Sequence, residues 1–249
     1  MRLLFTICAR AGSKGIKNKN VSLFLGRPLA FYTLAVIKDF IENHPALDWD
    51  LAVNTDSQLL FEQCDKFGLP YTQIPRTEEL AGDLVAKRDV IADTLRKMVK
   101  KSGQSYDFLL DLDLTSPLRT PDDVERLIAK AQSGVFDVVY SVTSARRNPY
   151  FNQVMRRPDG TVGLVVSGSN LVARQQTPEV YDMNASLYIY RPDYLESERT
   201  FASATQDFIE MPDTAVLDLD RPEDFELMQV IAAHLFTTGR FAFMEKHLT

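Results

Sequence analysis

Four cations fall within eleven residues, Arg10-Ala11-Gly12-Ser13-Lys14-Gly15-Ile16-Lys17-Asn18-Lys19-Asn20, together with two glycines and no acid. Glycines let the backbone approach a polyphosphate, successive amides can cradle its oxygens, and Lys and Arg neutralise charge that develops during phosphoryl transfer. The stretch reads as an anion-binding loop. It matches neither common phosphate fingerprint. A Walker loop carries its lysine after the second glycine, whereas Lys14 precedes Gly15, and a dinucleotide loop needs three spaced glycines where only Gly12 and Gly15 stand.

Two acidic patterns follow. In Asp218-Leu219-Asp220, strand alternation puts both carboxylates on one face, and such a pair suits Mg²⁺, which takes few carboxylates plus water and substrate phosphate. Asp111-Leu112-Asp113-Leu114-Thr115-Ser116-Pro117-Leu118-Arg119 holds a second such pair with two hydroxyls and an arginine, and Thr115 or Ser116 could equally be turn residues beside Pro117. Cationic loop, paired carboxylates and hydroxyl-bearing loop together point to metal-assisted nucleotidyl transfer.

The elements that must position these residues alternate. Short apolar runs at Leu3 to Cys8, Asp50 to Asn54, Pro70 to Gln73, Phe108 to Leu112, Asp137 to Val142, Leu187 to Tyr190 and Ala215 to Leu219 read as strands. Amphipathic segments at 28–42, 57–67, 83–101, 122–132 and 222–236 read as helices. This order predicts an α/β fold with a largely parallel sheet, whose sites lie at the carboxyl ends of strands. Residues 143–185 are irregular and basic, an excursion from the sheet with Arg146-Arg147 and Arg156-Arg157 within it.

The 249 residues are enough to bury a large core without a staple, and the net charge of −6 argues against a nucleic-acid partner. Cys8 and Cys64 permit no disulfide framework, which fits a reducing cytoplasm, and His44, His234 and His247 lack metal spacing. The opening residues read as a buried strand, and no stretch approaches the roughly 18 apolar residues of a membrane helix, so no membrane association is expected.

Taken in order, the loop Arg10 to Asn20, Asn54-Thr55-Asp56-Ser57, Ile74-Pro75-Arg76, Ala81-Gly82-Asp83, Thr115-Ser116-Pro117-Leu118-Arg119, Arg174-Gln175-Gln176, Tyr181-Asp182-Met183-Asn184 and Asp218-Leu219-Asp220 resemble the motifs of acylneuraminate cytidylyltransferases. These enzymes join CMP to sialic acids and related nonulosonic acids. The resemblance spans about residues 3 to 235. It implies a three-layer, mostly parallel, Rossmann-like nucleotide-diphospho-sugar transferase fold. It further implies a single catalytic domain over 1–249, with 143–185 as a dimerisation and active-site excursion of a homodimer.

The same resemblance implies the substrates, CTP and an acidic nine-carbon sugar, and a set of roles. Arg10, Ser13 and Lys14 would hold the triphosphate, Lys19 would be the catalytic lysine near the α-phosphate, and Asn20 and Arg76 would contact the cytidine. Gly82 stands where the family often has serine, leaving a backbone contact only. Arg174 and Gln175 resemble sugar-site or partner-subunit residues. Tyr181 and Asn184, with Asp113, Thr115 and Ser116, correspond to the acceptor side. Asp218 and Asp220 would be the Mg²⁺ ligands, with Asp220 the candidate general base.

One departure bears on the acceptor. Many relatives have Gln-Pro before T-S-P-L-R, where this chain has Asp113-Leu114. An ionised Asp only accepts hydrogen bonds and repels an acidic sugar, so Asp113 either faces a donor on the acceptor or turns towards metal or protein. An enzyme for 3-deoxy-octulosonate-type sugars is the nearest alternative, which the T-S-P-L-R segment disfavours. A non-catalytic nucleotide-sugar binding protein would keep the basic loop without needing Asp218 and Asp220.

Overall fold

The computed structural model of the chain describes residues 1–12, 15–16, 18–82, 84–167, 173–212, 219 and 221–248. The strands are β1 (Arg2–Cys8), β2 (Leu23–Phe24), β3 (Arg27–Pro28), β4 (Asp48–Thr55), β5 (Thr72–Pro75), β6 (Phe108–Leu112), β7 (Val138–Ser144), β8 (Val154–Arg156), β9 (Val162–Leu164), β10 (Tyr181–Tyr190) and β11 (Gln206–Glu210). The helices are α1 (Leu29–Asn43), α2 (Gln58–Phe67), α3 (Glu78–Ala81), α4 (Lys87–Ser102), α5 (Pro121–Gln132), α6 (Pro192–Leu195), α7 (Pro222–Thr237) and α8 (Ala242–His247).

Seven strands form one sheet in the order β11-β7-β10-β6-β1-β4-β5, parallel except for β10, which runs antiparallel to both neighbours. A central strand covered on both faces needs an apolar run rather than alternation, and β1, Arg-Leu-Leu-Phe-Thr-Ile-Cys, buries every interior residue. On one face Leu3, Phe5 and Ile7 pack with residues of α1, α2, α5, α7 and α8; on the other, Leu4 and Ala52 pack with Ile91, Leu95 and Met98 of α4 and Tyr194 of α6. The result is a three-layer sandwich.

Local chemistry sets the helix ends. Ser57 caps α2 through Leu60 N–H, and Gly68 ends it in the left-handed region at φ 78°. Thr120 and Asp123 form a capping box on α5 with Pro121 in its first turn.

Four expectations shift. The helix expected from residue 83 begins at Lys87, because Lys87 and Arg88 are drawn at once into tertiary bonds, and a separate turn of helix, α3, precedes it. Strand β5 lies two residues later than expected, which puts Ile74 in the core. The excursion is shorter than 143–185: β7 continues to Ser144 and β10 starts at Tyr181, passing through an irregularity between Met183 and Tyr188 with Ala185 at φ 53°. Edge strand β11 and helix α8 were not anticipated, while the strand expected over 215–219 lies, Leu219 apart, outside the described residues. Among the described residues no helix is long and apolar enough to cross a membrane.

Candidate active site

Because β1, β4, β5 and β6 are parallel, their carboxyl ends share one edge, and the reversed β10 brings Tyr181 and Asn184 to it from the opposite direction. The polar motifs converge here. At the end of β1, Ala9 N–H donates to the Asn54 carbonyl at 3.1 Å, Ala11 N–H donates to Asp56 at 2.6 Å, and Asn20 Nδ2 donates back to the Arg10 carbonyl at 2.9 Å. The loop is thus tied to β4 at its start and closed on itself at its end, with half-buried Lys19 opening a 3-10 turn over Lys19–Val21.

Arg76, at the end of β5, donates from Nε to Asn54 Oδ1 at 2.9 Å and from Nη2 to the Asn54 carbonyl at 3.0 Å. Burial lowers its pKa from the ordinary arginine value. Among the described residues, a Cβ at Gly82 would meet the Val85 methyl at 3.5 Å, an ordinary van der Waals contact. Burial also pushes up both thiols, Cys64 to about 12, which makes neither a nucleophile at neutral pH.

Strand β6 ends in the densest polar cluster. Lys87 Nζ lies 2.7 Å from Asp111 Oδ2 and 2.6 Å from Asp113 Oδ2. Asp111, wholly buried, also accepts from Thr6 Oγ1 at 2.8 Å. Asp113 Oδ1 accepts from the Thr115 amide at 3.0 Å and hydroxyl at 2.9 Å. Asp113 is therefore turned towards protein donors, Lys87 and Thr115. Burial works against both charges, yet the two carboxylates hold the Lys87 ammonium well above its usual value. Lys87 and Thr115 in turn hold the Asp113 carboxyl well below the usual carboxylate range.

Lys87 was missed by the sequence reading. Its only signal is a lysine at a helix start following Ala81-Gly82-Asp83, which nothing local links to a strand end 24 residues on. Lys87→Met would leave Asp111 without its counter-charge and is expected to lower stability by about 3 kcal/mol, the low end for a broken buried pair because the Lys87 side chain keeps 37% exposure. In the wild type, Asp113 contributes stability that is present above roughly pH 4 and lost as pH falls through its depressed folded value; Lys87 contributes stability lost only above about pH 10.5. In the variant the unpaired carboxylates bind protons more readily when folded, so its deficit should shrink from about pH 8 to about pH 5. Urea melts at the two pH values measure this, and an equal deficit at both would exclude it.

Arg119 is fully buried and serves the scaffold. Its Nη1 donates to the Ser186 carbonyl at 2.7 Å, and its Nη2 to Thr33 Oγ1 at 3.2 Å and to the Asp113 carbonyl. Ser116 and Asn184 are buried as well: Ser116 Oγ donates to the Asn184 carbonyl at 3.1 Å, and Asn184 Oδ1 accepts from Ser141 Oγ at 2.6 Å. Both polar groups join β10 to its neighbours. The Thr115 carbonyl accepts from Leu219 N–H at 3.1 Å, and Leu219 is itself buried.

Tyr181 and Gln175 line a separate groove of about 410 Å³ with Asn148, Glu179 and Glu210. The Tyr181 hydroxyl donates to Glu179 at 3.0 Å, and its ring lies 4.7 Å from that of Phe208. Ser13, Lys14, Asp218, Asp220 and the Arg174 side chain lie outside the described residues.

This sheet order, with the polar motifs gathered along one carboxyl edge, is shared with solved structures of the nucleotide-sugar transferase fold. A CMP:2-keto-3-deoxy-manno-octonic acid synthetase solved in complex with CTP has a TM-score of 0.66 and 15% identity, the match covering 94% of this chain and 99% of that one. A 4-diphosphocytidyl-2C-methyl-D-erythritol synthase from Anaerococcus prevotii has a TM-score of 0.62 and 11% identity, covering 93% and 98%. These are likenesses of fold. Residues 4–235 match the cytidylyltransferase family, and the chain belongs to it. It is 34% identical to post-translational flagellin modification protein B of Campylobacter coli over 92% of this chain and 94% of that protein. It is 31% identical, with the same coverage, to the CMP-N,N'-diacetyllegionaminic acid synthase of Campylobacter jejuni.

Proposed function

We propose that this chain transfers the cytidylyl group of CTP to a free α-keto nonulosonic acid, giving the CMP-sugar and pyrophosphate. The observation that carries the reading is the match of residues 4–235 to the cytidylyltransferase family, supported by the parallel β1, β4, β5 and β6, whose carboxyl ends bring Arg10, Lys19, Asn20 and Arg76 to one edge. Relatives named CMP-N,N'-diacetyllegionaminic acid synthase, at 31% and 24% identity, favour a legionaminic-type diamino acid as acceptor ahead of sialic or pseudaminic acid.

In this reading Arg10, Ser13 and Lys14 bind the triphosphate, and Asn20 and Arg76 orient the cytidine. Asp220 accepts the proton of the anomeric hydroxyl. The bond from that oxygen to the α-phosphorus forms as the bond to the β-phosphate bridging oxygen breaks, and pyrophosphate leaves in line. Lys19 offsets charge on the α-phosphate, and Arg10 and Lys14 offset charge on the leaving group.

The residues fit a hard cation. Lys87 neutralises the Asp111 and Asp113 pair; Asp218 and Asp220, the D-x-D pair that resembles the family's metal ligands, would supply the two hard oxygen donors that Mg²⁺ prefers. When bound, Mg²⁺ supplies charge neutralisation at phosphate and lowers the pKa of the attacking hydroxyl.

Pyrophosphate release from CTP with a panel of legionaminic, pseudaminic, sialic and octulosonic acids tests the reaction. Absence of divalent-dependent release with every acceptor refutes it, and CTP affinity without turnover would favour a nucleotide-sugar binding protein. Asp218→Asn and Asp220→Asn should each lower kcat by at least about 10²-fold in a folded protein. Activity of either variant near the wild-type level would remove the metal assignment.

We also infer one catalytic domain with a dimerising excursion. Exposed Val154, Met155 and Val162 on the β8–β9 hairpin support a second copy as partner. Light scattering at micromolar concentration should give twice the chain mass; a monomeric mass counts against the dimer. A CTP-dependent reaction fits a cytoplasmic setting.

A further inference from the structure

In the reading above Arg76 orients the cytidine, and on that reading we propose that Asn54, braced by Thr94, is a positioning residue for Arg76 and sets how strongly cytosine is preferred to uracil.

The contacts begin inside α4. Thr94 is wholly buried, and its hydroxyl donates its one proton to the Val90 carbonyl at 2.8 Å. Its oxygen can then only accept, and it takes Asn54 Nδ2 at 2.8 Å. This fixes which way the wholly buried Asn54 amide is turned: the nitrogen faces Thr94, and the side-chain oxygen is left for Arg76. A guanidinium has donors and no acceptor, so an amide turned the other way would set donor against donor.

Asn54 occupies one whole edge of the guanidinium, with Nε on its side-chain oxygen at 2.9 Å and Nη2 on its main-chain carbonyl at 3.0 Å. The Arg76 amide donates to the Thr55 carbonyl at 3.0 Å, so main chain and side chain are both tied to β4. The opposite end of the fork, Nη1 with the outer proton of Nη2, makes no hydrogen bond among the described residues, and Arg76 is half-buried. Two donors held in one plane match two adjacent acceptors. Cytosine presents such a pair in O2 and N3, whereas uracil carries a proton on N3 that opposes one donor. Phosphate charge is furnished by the cationic loop after β1, two strands away from β5. A guanidinium free to swing could settle on a single uracil oxygen; one held by Asn54 leaves a donor unpaired, and an unpaired donor is what makes discrimination steep.

Isothermal titration with CTP and with UTP, alongside steady-state kinetics, tests the role. Asn54→Leu is expected to weaken CTP binding by about tenfold and UTP binding by less than about twofold, so that the preference for CTP falls by about fivefold or more. At saturating CTP, kcat should stay within about threefold of the wild type. In an Arg76→Met background the same change should have little further effect on either nucleotide, as expected when one residue acts through the other. Thr94→Val should lower the preference by a smaller factor, and Thr94→Ser, which keeps the hydroxyl, should restore it. Ile91→Val, a change in the core beneath the same helix, should lower the melting temperature and leave the preference unaltered.

An unchanged CTP-to-UTP ratio in folded Asn54→Leu overturns the proposal. So does an equal loss for both nucleotides, which would make Arg76 a phosphate or ribose contact, and so does the same loss with and without Arg76. Should Asn54→Leu not fold, Thr94→Val carries the test: a lower ratio supports the proposal and the wild-type ratio overturns it. A wild type that binds CTP but turns over no acceptor defeats the proposed reaction, while the titrations still decide the role of Asn54. A wild type that binds both nucleotides equally overturns the proposal and leaves the reaction to the pyrophosphate assay.

Discussion

Lys19→Ala is expected to lower kcat by about 10²–10³-fold, the loss typical of one preorganised charge at a reacting centre, while shifting the thermal midpoint by less than about 2 °C. The 3-10 turn is held by main-chain bonds, Lys19 N–H to the Ile16 carbonyl at 3.2 Å, Val21 N–H to Asn18 at 3.0 Å and Ser22 N–H to Lys19 at 3.2 Å. Asn20 and Gln63 fasten the turn from outside through the Arg10 and Val21 carbonyls, both at 2.9 Å. None of these bonds uses the lysine side chain. A charge needed chiefly at the pentacovalent α-phosphate should show in kcat rather than in KM for CTP. Stopped-flow single turnovers separate the chemical step from release, and an unaltered chemical rate would remove Lys19 from the mechanism.

Arg119→Met should be the most damaging change to stability, about 3–5 kcal/mol, with a fall of about 10 °C in the thermal midpoint for a chain of this size. The guanidinium reaches the Ser186 and Asp113 carbonyls and the Thr33 hydroxyl together, which ties β10, the 113–115 turn and α1 at one buried point. Methionine fills the volume and satisfies none of them. Lysine keeps the charge but cannot span three directions, so Arg119→Lys should recover only part of the loss. Differential scanning calorimetry reads both variants; an Arg119→Met midpoint within about 3 °C of the wild type would mean that the buried arginine is dispensable.

Much of the framework was readable because it depends on local pattern. β1, β6 and α5 follow from an apolar run or an amphipathic period bounded by a cap, and the edge where chemistry gathers follows from their parallel order. The misses share a different cause. Strand β11 is a short edge whose sequence, Gln-Asp-Phe-Ile-Glu, becomes a strand only by pairing with β7. Likewise, the start of α4 is set by what Lys87 and Arg88 meet in space.

At the candidate site the distinction is sharper. Residue type revealed that Asp113, Ser116, Arg119 and Asn184 were polar and near strand ends. It could not reveal that Ser116, Arg119 and Asn184 are buried on protein partners and that half-buried Asp113 is held by Lys87, since a structural polar group and a ligand-binding one look alike until their partners are known.

The reversed strand β10 has a consequence for how the chain comes together during synthesis. It divides the sheet into two parallel blocks, β6-β1-β4-β5 and β11-β7, and is the one seam between them. Until residue 190 has left the ribosome, β6 and β7 each present an open hydrogen-bonding edge, the form in which nascent sheets adhere to one another. The loop that delivers the seam is the irregular excursion after β7, and closure entropy rises only slowly with loop length. Insertions there should therefore be tolerated by the folding chain, which leaves the excursion open to variation while the seam that joins the two blocks stays constant.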